Sequence, residues 1–214
     1  MFFENRQDAG RKLAERIKQA GIWLDGFSVI GIARGGVIVG QGVSQTFSLP
    51  LHSFSTDDCS VDGKTIFISP FGTATIWDGK RKGMFGRQFV SELTEELSKH
   101  EEVVACKSRV SAQHLLYGGI NQTEIPESVI ICDDGLVSGR SMISVMDTLR
   151  HAGAKNILLA VPVIPAWFPD EIEGSKVLMY RRSRSSNFAT GIFYFNFDDT
   201  PDQDVIEAVG ALTV

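Results

Sequence analysis

The chain has 214 residues, 43% hydrophobic and 22% charged, a balance that excludes a disordered or fibrous protein and a length that closes a core without disulfides or a structural metal. Its formal net charge of −5 supplies no global positive field for coating nucleic acid. Glycine, at 21 residues against 7 prolines, stands above its usual share of about 7%, which asks where the backbone must be bare.

The N-terminal MFFENRQDAG carries a charge at its fourth residue and no apolar run, so no signal peptide is expected there. Asn5 as N-cap, Asp8 at the capping-box position and Ala9, Leu13 and Ile17 at four-residue spacing predict a first helix ending before Gly21. Residues 28–33 predict a buried strand that ends at Arg34, Gly35 and Gly36. A helix over 37–47 follows, in which Gly40 and Gly42 permit close packing, and then a second strand over 51–55. The stretch 56–86 holds only short apolar fragments, 65–68 and 74–77, and is expected to form a hairpin or an irregular lobe. Phe89, Leu93 and Leu97 predict a helix ending near Lys99 and His100, while 101–128, with Gly118 and Gly119 and no clear period, is expected to be loop, lobe or a mobile segment.

Residues 129–132 predict a further buried strand, and Met142, Val145, Met146 and Leu149 mark one face of a helix ending near Gly153. A strand over 157–163, a helical turn over 169–173, a strand over 177–180 and an aromatic strand over 191–195 complete the pattern. Thr200 as N-cap, Pro201 at N1 and Gln203 at N3 predict the last helix. Strands alternating with helices predict an α/β fold, a parallel sheet flanked by helices with a small irregular lobe, forming one domain over 1–214. The most apolar stretch, 157–169, is too short to span a bilayer and contains Pro162, Pro165 and Pro169. Cys59, Cys106 and Cys132 are far apart and form no CxxC pair, which suits a reducing compartment. A soluble, cytoplasmic protein that meets neither membrane nor nucleic acid is expected.

The informative segment is VIICDDGLVSGRSM, 129–142. An apolar strand delivers Asp133 and Asp134, then a small-residue turn, then a helix, and in a parallel sheet the C-terminal strand ends border the ligand crevice. The turn can aim the backbone N–H groups of Val137, Ser138, Gly139, Arg140 and Ser141 at one point, where the helix N-terminus adds about half a positive charge. A carboxylate pair repels a bare phosphate but accepts hydrogen bonds from sugar hydroxyls or holds Mg²⁺. Together these features describe a phosphorylated sugar.

DDGLVSG resembles the signature of the type I phosphoribosyltransferases: apolar residues, two acidic residues and a small-residue turn ending in Ser or Thr and Gly. FENRQDAGRKLA near the N-terminus, IARGGVIVG, YGG at Tyr117, VPVIP and the aromatic segment from Gly191 to Phe197 resemble one subgroup of that family. The resemblance implies that Asp133 and Asp134 contact the ribose hydroxyls of phosphoribosyl pyrophosphate. It also implies that Gly135, Leu136, Val137, Ser138, Gly139, Arg140 and Ser141 bind its 5′-phosphate, and that Arg34, Gly35 and Gly36 hold the pyrophosphate. The reaction it implies is Mg²⁺-dependent transfer of ribose 5-phosphate to a nucleobase or related nitrogen acceptor with release of pyrophosphate. Mg²⁺ would travel with the substrate, with Asp133 and Asp134 as the protein groups nearest to it. The aromatic tail makes a homodimer the expected assembly.

This chain departs from that pattern at three places. Val137 stands where some purine-specific members carry an acidic residue, which disfavours a 6-oxopurine acceptor that relies on such a base. Ser53 to Ser60 reads SFSTDDCS where the subgroup has a basic loop, and Tyr117, Gly118, Gly119, Ile120 and Asn121 lack two expected arginines. Each lost donor to a leaving group can lower the rate about 10²-fold, so a sensor or regulator that binds phosphoribosyl pyrophosphate or a nucleotide without turnover is the alternative. Lys80, Arg81, Lys82 and Arg87, or Lys107 and Arg109, are the candidate replacement cations. An unrelated Rossmann-like enzyme is disfavoured because GxGxxG is absent. Arg181, Arg182 and Arg184 read as surface charge, Asp57 and Asp58 as loop carboxylates, the four histidines as core or surface groups and Cys132 as a buried apolar residue.

Overall fold

Asn5 begins the first helix in the computed structural model, which describes residues 2–78, 86–185 and 187–211. Its Oδ1 accepts from the Asp8 N–H at 2.9 Å, while Asp8 Oδ2 accepts from the Glu4 N–H at 3.0 Å. Helix α1 (Arg6–Gln19) buries Ala9, Gly10, Leu13, Ala14 and Ile17. Strand β1 (Phe27–Ile32), helix α2 (Gly35–Phe47) and strand β2 (Leu51–Phe54) follow. Helices α1 and α2 cross in backbone contact, because a Cβ on Gly10 would lie 2.4 Å from the Val39 carbonyl oxygen and one on Gly42 would lie 2.7 Å from the Arg11 nitrogen.

The chain then leaves the main sheet for a lobe of four antiparallel strands, β3 (Asp57–Val61), β4 (Lys64–Ile68), β5 (Ala74–Asp78) and β6 (Arg87–Val90), arranged in sequence order. The short helix α3 (Glu95–Ser98) and the long helix α4 (Glu101–Leu116) bring it back. The rest alternates: β7 (Ser128–Cys132), α5 (Arg140–His151), β8 (Asn156–Pro165), β9 (Glu171–Ile172), β10 (Ser175–Ser183) and α6 (Asp202–Gly210). The main sheet has the order β2-β1-β7-β8-β10-β9, with every pair parallel except β9 with β10.

Both sheet faces are covered, which is why the strands read as unbroken apolar runs. Val29, Ile130, Cys132 and Ala160 pack with α1, α2 and α6, whereas Ile30, Ile32, Ile131, Leu159 and Val161 pack with α5 and the lobe residues Phe67 and Trp77. The chain runs outward from β1 to β2 and resumes on the other side of β1 at β7, so the strand order switches direction between β1 and β7. Gly31 lies level with Cys132 in the register. The loops after these two strands therefore emerge side by side, at the place where open α/β sheets bind ligands.

The expected α/β fold, a parallel sheet flanked by helices, is what forms; several elements differ. Residues 101–116, expected as loop, are helix α4, whose period is faint because it buries only Val103, Cys106 and Val110. Of the helix expected from Phe89 to near Lys99, only Glu95–Ser98 is helical; Phe89 and Val90 belong to strand β6, and the spacing of Phe89, Leu93 and Leu97 reflects Leu93 and Leu97 packing with Val90 against the lobe core. Of the two expectations for 56–86 the hairpin is what forms, since 65–68 and 74–77 lie in β4 and β5, which pair antiparallel, and Cys59, Val61, Ile66 and Ile68 of this sheet close on α4. Residues 171–172, within the expected helical turn, pair with β10 as a strand. The expected strand over 191–195 is a 3-10 turn, Thr190–Phe193, followed by one bridge between Phe3 and Tyr194. Pro201, not Thr200, is the N-cap residue of α6. Lys80, Arg81 and Lys82 lie outside the described residues. Among the described residues no helix is long and apolar enough to cross a membrane.

Candidate functional site

Two loops meet at the C-terminal edge of β1 and β7, and glycine is what lets them meet. A Cβ on Gly36 would lie 2.4 Å from the Cys132 carbonyl oxygen and 2.9 Å from Asp133 Cα, and one on Gly35 would lie 2.3 Å from Asp134 Oδ2. The Ala33–Arg34 peptide bond that enters this loop is cis. Gly135 faces Thr190 with no room for a methyl group. Gly139 combines a φ of 73° with the Phe168 ring 2.4 Å from where a Cβ would stand, so both conformation and space require glycine there.

Within this cradle Asp133 and Asp134 are both partly buried, the Asp134 side chain being 19% exposed. Asp133 Oδ1 accepts from the Asp134 N–H at 2.9 Å. Asp134 Oδ2 accepts from Arg6 Nε at 2.8 Å, and the Asp134 carbonyl accepts from the Tyr194 hydroxyl at 2.7 Å. Among the described residues, Oδ2 of Asp133 and Oδ1 of Asp134 make no hydrogen bond. Burial raises both carboxyls above the ordinary aspartate value; the Asp134 charge raises Asp133 further, and Arg6 partly reverses the shift on Asp134. The pair therefore holds protons to higher pH than a surface aspartate. A pair of carboxylates with one cation and two free oxygens is suited to accept hydrogen bonds from neighbouring hydroxyls or to face a cation.

The turn from Gly135 to Gly139 leads into α5, which has no side-chain cap. Leu136 is buried and its N–H donates to the Val163 carbonyl at 3.1 Å, which fixes the turn on β8. The Arg140 N–H donates to Ser138 Oγ at 3.3 Å. The N–H groups of Val137, Ser138, Gly139, Ser141 and Met142 have no acceptor among the described residues. An uncapped helix start with several open amides is an anion site in its physical make-up. Val137 is exposed, as a turn residue with no charge to contribute.

The structure thus brings Gly35, Gly36, Asp133, Asp134 and the 135–141 turn together. Five other candidates, Arg34, Arg87, Arg109, Arg181 and Arg182, are engaged elsewhere. Arg34 lies 3.5 Å from Asp202, which also accepts from the Tyr117 hydroxyl at 2.7 Å; burial and that carboxylate push the phenol up to about 12. Arg87 grips Asp147 through two hydrogen bonds of 2.7 and 2.9 Å and reaches Glu173 at 2.8 Å. Arg109 pairs with Asp57 at 2.7 Å. Arg181 lies over the Phe2 ring at 3.8 Å, and Arg182 ties Asp170 and the carbonyls of Ala166 and Phe168 into the loop after β8.

Sequence reasoning gave neither Arg6 nor Tyr194 a role at the site: Arg6 entered only as part of the FENRQDAGRKLA resemblance, and Tyr194 reads from the sequence as core or a dimer face. The signal for Arg6 was present in FENRQDAG, which placed a cation on the first turn of a helix without a reason for it. The pairing partner lies 128 residues away, beyond any local pattern.

No family model matches the chain. Two curated proteins of Mycobacterium tuberculosis, named "Putative phosphoribosyl transferase Rv0571c" and "Putative phosphoribosyl transferase MT0597", are each 25% identical over 95% of this chain. The alignment takes in 45% of each relative, so the chain spans a little under half their length. The crystal structure of TT1426 from Thermus thermophilus superposes with a TM-score of 0.71 over 98% of both chains at 20% identity, which shows a shared fold.

Proposed function

We propose that this chain, related through its signature and its curated relatives to the type I phosphoribosyltransferases, binds phosphoribosyl pyrophosphate at the edge of β1 and β7. It would transfer the ribose 5-phosphate group to a nucleobase or related nitrogen acceptor and release pyrophosphate. One observation carries the reading: Gly35 and Gly36 press bare backbone against Asp134 and Asp133, so the loop after β1 and the turn after β7 form one cradle. In it, the open amides from Val137 to Met142 suit the 5′-phosphate, and the free oxygens of Asp133 and Asp134 suit the ribose hydroxyls.

Those two oxygens are hard donors of the kind Mg²⁺ takes, while the described residues contain no cluster of three or more side chains able to hold a metal alone. The residues therefore fit Mg²⁺ brought in with the oxygens of the substrate, with Asp133 and Asp134 next to it. When bound it would neutralise charge on the departing pyrophosphate. The chain's own part is to orient the ribose, to anchor the phosphate at the start of α5 and to keep water from the anomeric carbon. Val137 offers no base in the turn, so an acceptor that reacts without a carboxylate there is favoured.

The pairing of Arg34 with Asp202, Arg87 with Asp147 and Arg109 with Asp57 favours a second reading, a binding protein without turnover, because these candidate cations for the pyrophosphate are engaged with other carboxylates. Calorimetry with phosphoribosyl pyrophosphate and Mg²⁺ tests the first point: binding by the wild type and its loss in Asp133→Asn/Asp134→Asn are expected, and a wild type that does not bind would remove the proposal. Pyrophosphate release across a panel of nitrogen bases separates enzyme from sensor.

A further inference from the structure

The role of Arg6 goes beyond pairing one charge. Its guanidinium is held on three sides: Nε donates to Asp134 Oδ2 at 2.8 Å, Nη1 donates to the Asp198 carbonyl at 2.6 Å, and the Phe197 ring lies 4.0 Å beneath it. Its side chain retains 14% exposure. The partners that fix it come from the C-terminal segment, which is itself bound to the N-terminus. The Phe2 and Phe3 N–H groups both donate to the Phe193 carbonyl, and the Phe195 N–H donates to the Phe3 carbonyl. Phe3, Ala9, Val163, Phe193 and Tyr194 form the apolar cluster under this clasp. Tyr194 adds its own bond to the Asp134 carbonyl.

The loop on the opposite side is shaped around the pair. A Cβ on Gly35 would stand 2.3 Å from Asp134 Oδ2 and 2.8 Å from Arg6 Nε. The same missing side chain therefore makes room for the Arg6 and Asp134 contact, which is an observation separate from the hydrogen bond itself.

We infer that Arg6 is a positioning residue for the carboxylate pair. By occupying Oδ2 of Asp134, it turns that carboxylate so that Oδ1, together with Oδ2 of Asp133, is presented to the vicinal hydroxyls of the bound sugar. The identity of the sugar rests on the function proposed above; the orientation of Asp134 does not. A planar guanidinium with donors in two directions can hold a carboxylate and a carbonyl at once, which a single ammonium does poorly. This gives the arginine of FENRQDAG a reason: the helix that carries it is remote in sequence but adjoins the cradle.

The test uses the full chain with Arg6→Met and Arg6→Lys, each shown to be folded by circular dichroism at the working temperature. With Mg²⁺, binding of phosphoribosyl pyrophosphate should weaken about 10-fold to 100-fold in Arg6→Met, the range for partners that orient a contacting group. Arg6→Lys should recover part of that loss. Inorganic phosphate, which needs only the start of α5, should bind all three proteins equally. Equal affinity of wild type and Arg6→Met for the sugar ligand, or an equal loss for both ligands, would overturn the inference. If the wild type does not bind the sugar ligand, the proposed function fails and the ligand-free crystal structures decide this point separately. Arg6→Met should show the Asp134 carboxylate rotated with the 133–141 backbone unchanged; an unmoved carboxylate refutes the positioning role. Should Arg6→Met not fold, the same two readings are taken on Arg6→Lys, where an unmoved carboxylate and unchanged affinity refute it.

Discussion

In the seam between α5 and the lobe, among the described residues, Arg87 and Arg150 face Asp147 and Glu173, two cations for two carboxylates. At the end of β7, Arg6 faces Asp133 and Asp134, one cation for two. In the first cluster Arg87 is bidentate on Asp147 with both side chains only 9% exposed, and Arg150 also reaches the Glu173 carbonyl and Ser175 Oγ. The second leaves an oxygen open on each carboxylate and raises both pKa values. Arg87, Asp147, Arg6 and Asp134 are all largely shielded from water while Glu173 is 41% exposed, yet only in the first cluster is every carboxylate oxygen paired. The balanced cluster fastens the lobe to α5, and the unbalanced one is left short of positive partners at the place proposed for the ligand.

Breaking the balanced cluster should have the larger effect on stability. Arg87→Met strands Asp147, whose side chain is 9% exposed, while Glu173 keeps Arg150; it is expected to lower stability by about 3–5 kcal/mol, a fall in melting temperature of about 10 °C for a chain of this size, readable by calorimetry. Affinity for the sugar ligand, measured below the new transition, should change little, because Arg87 lies in the seam and not in the cradle. A large loss of affinity with an unchanged melting temperature would reverse the assignment of the two clusters.

Relieving the unbalanced cluster should do the opposite. Asp133→Asn keeps an oxygen to accept from the Asp134 N–H and removes one of two crowded charges, so the melting temperature should rise by about 3 °C while sugar binding is lost. The pH dependence follows from the same crowding. Because both carboxyls are raised above the ordinary value of 3.8, the folded protein binds more protons than the unfolded chain between that value and the raised ones. The pair thus contributes most to stability at low pH, and this contribution is lost as pH rises through the raised values. The advantage of Asp133→Asn over wild type should grow from about pH 4 upward and then level off; an advantage that shrinks with pH would contradict the shift. Ligand affinity should run the other way, weakening as pH falls and the acceptor oxygens protonate.

The smallest effect belongs to an exposed pair. Arg109 and Asp57 are 2.7 Å apart, but their side chains are 52% and 35% exposed, where an ion pair adds little. Arg109→Ala should leave the melting temperature unchanged within error and leave sugar binding intact. A clear loss of binding would bring Arg109 back as a cation for the pyrophosphate.

Much of the cradle was legible because its parts are local. An apolar strand, two aspartates, a turn with glycine at the left-handed position and an uncapped helix all lie within 128–151, and each is dictated by neighbours in the chain. The loop Arg34, Gly35, Gly36 was legible as bare backbone for the same reason, although its arginine turned out to lie against Asp202. Helix α4 was not legible, because a helix that covers a small sheet with one narrow face needs few apolar residues. The lobe strands were too short to show a period, and β6 borrowed a helical spacing from residues that reach the same core by a different path.

The sequence by itself determined the class of fold, the strand ends that carry the acidic pair and the need for glycine beside them, since these depend on periodicity, turn conformation and helix capping. Which charges meet was decided only by the tertiary structure. Arg6 reaches Asp134 across 128 residues, and Arg87 reaches Asp147 across 60. Ion pairing depends on distance in space and on removal from water, and neither is written in the spacing of residues along the chain.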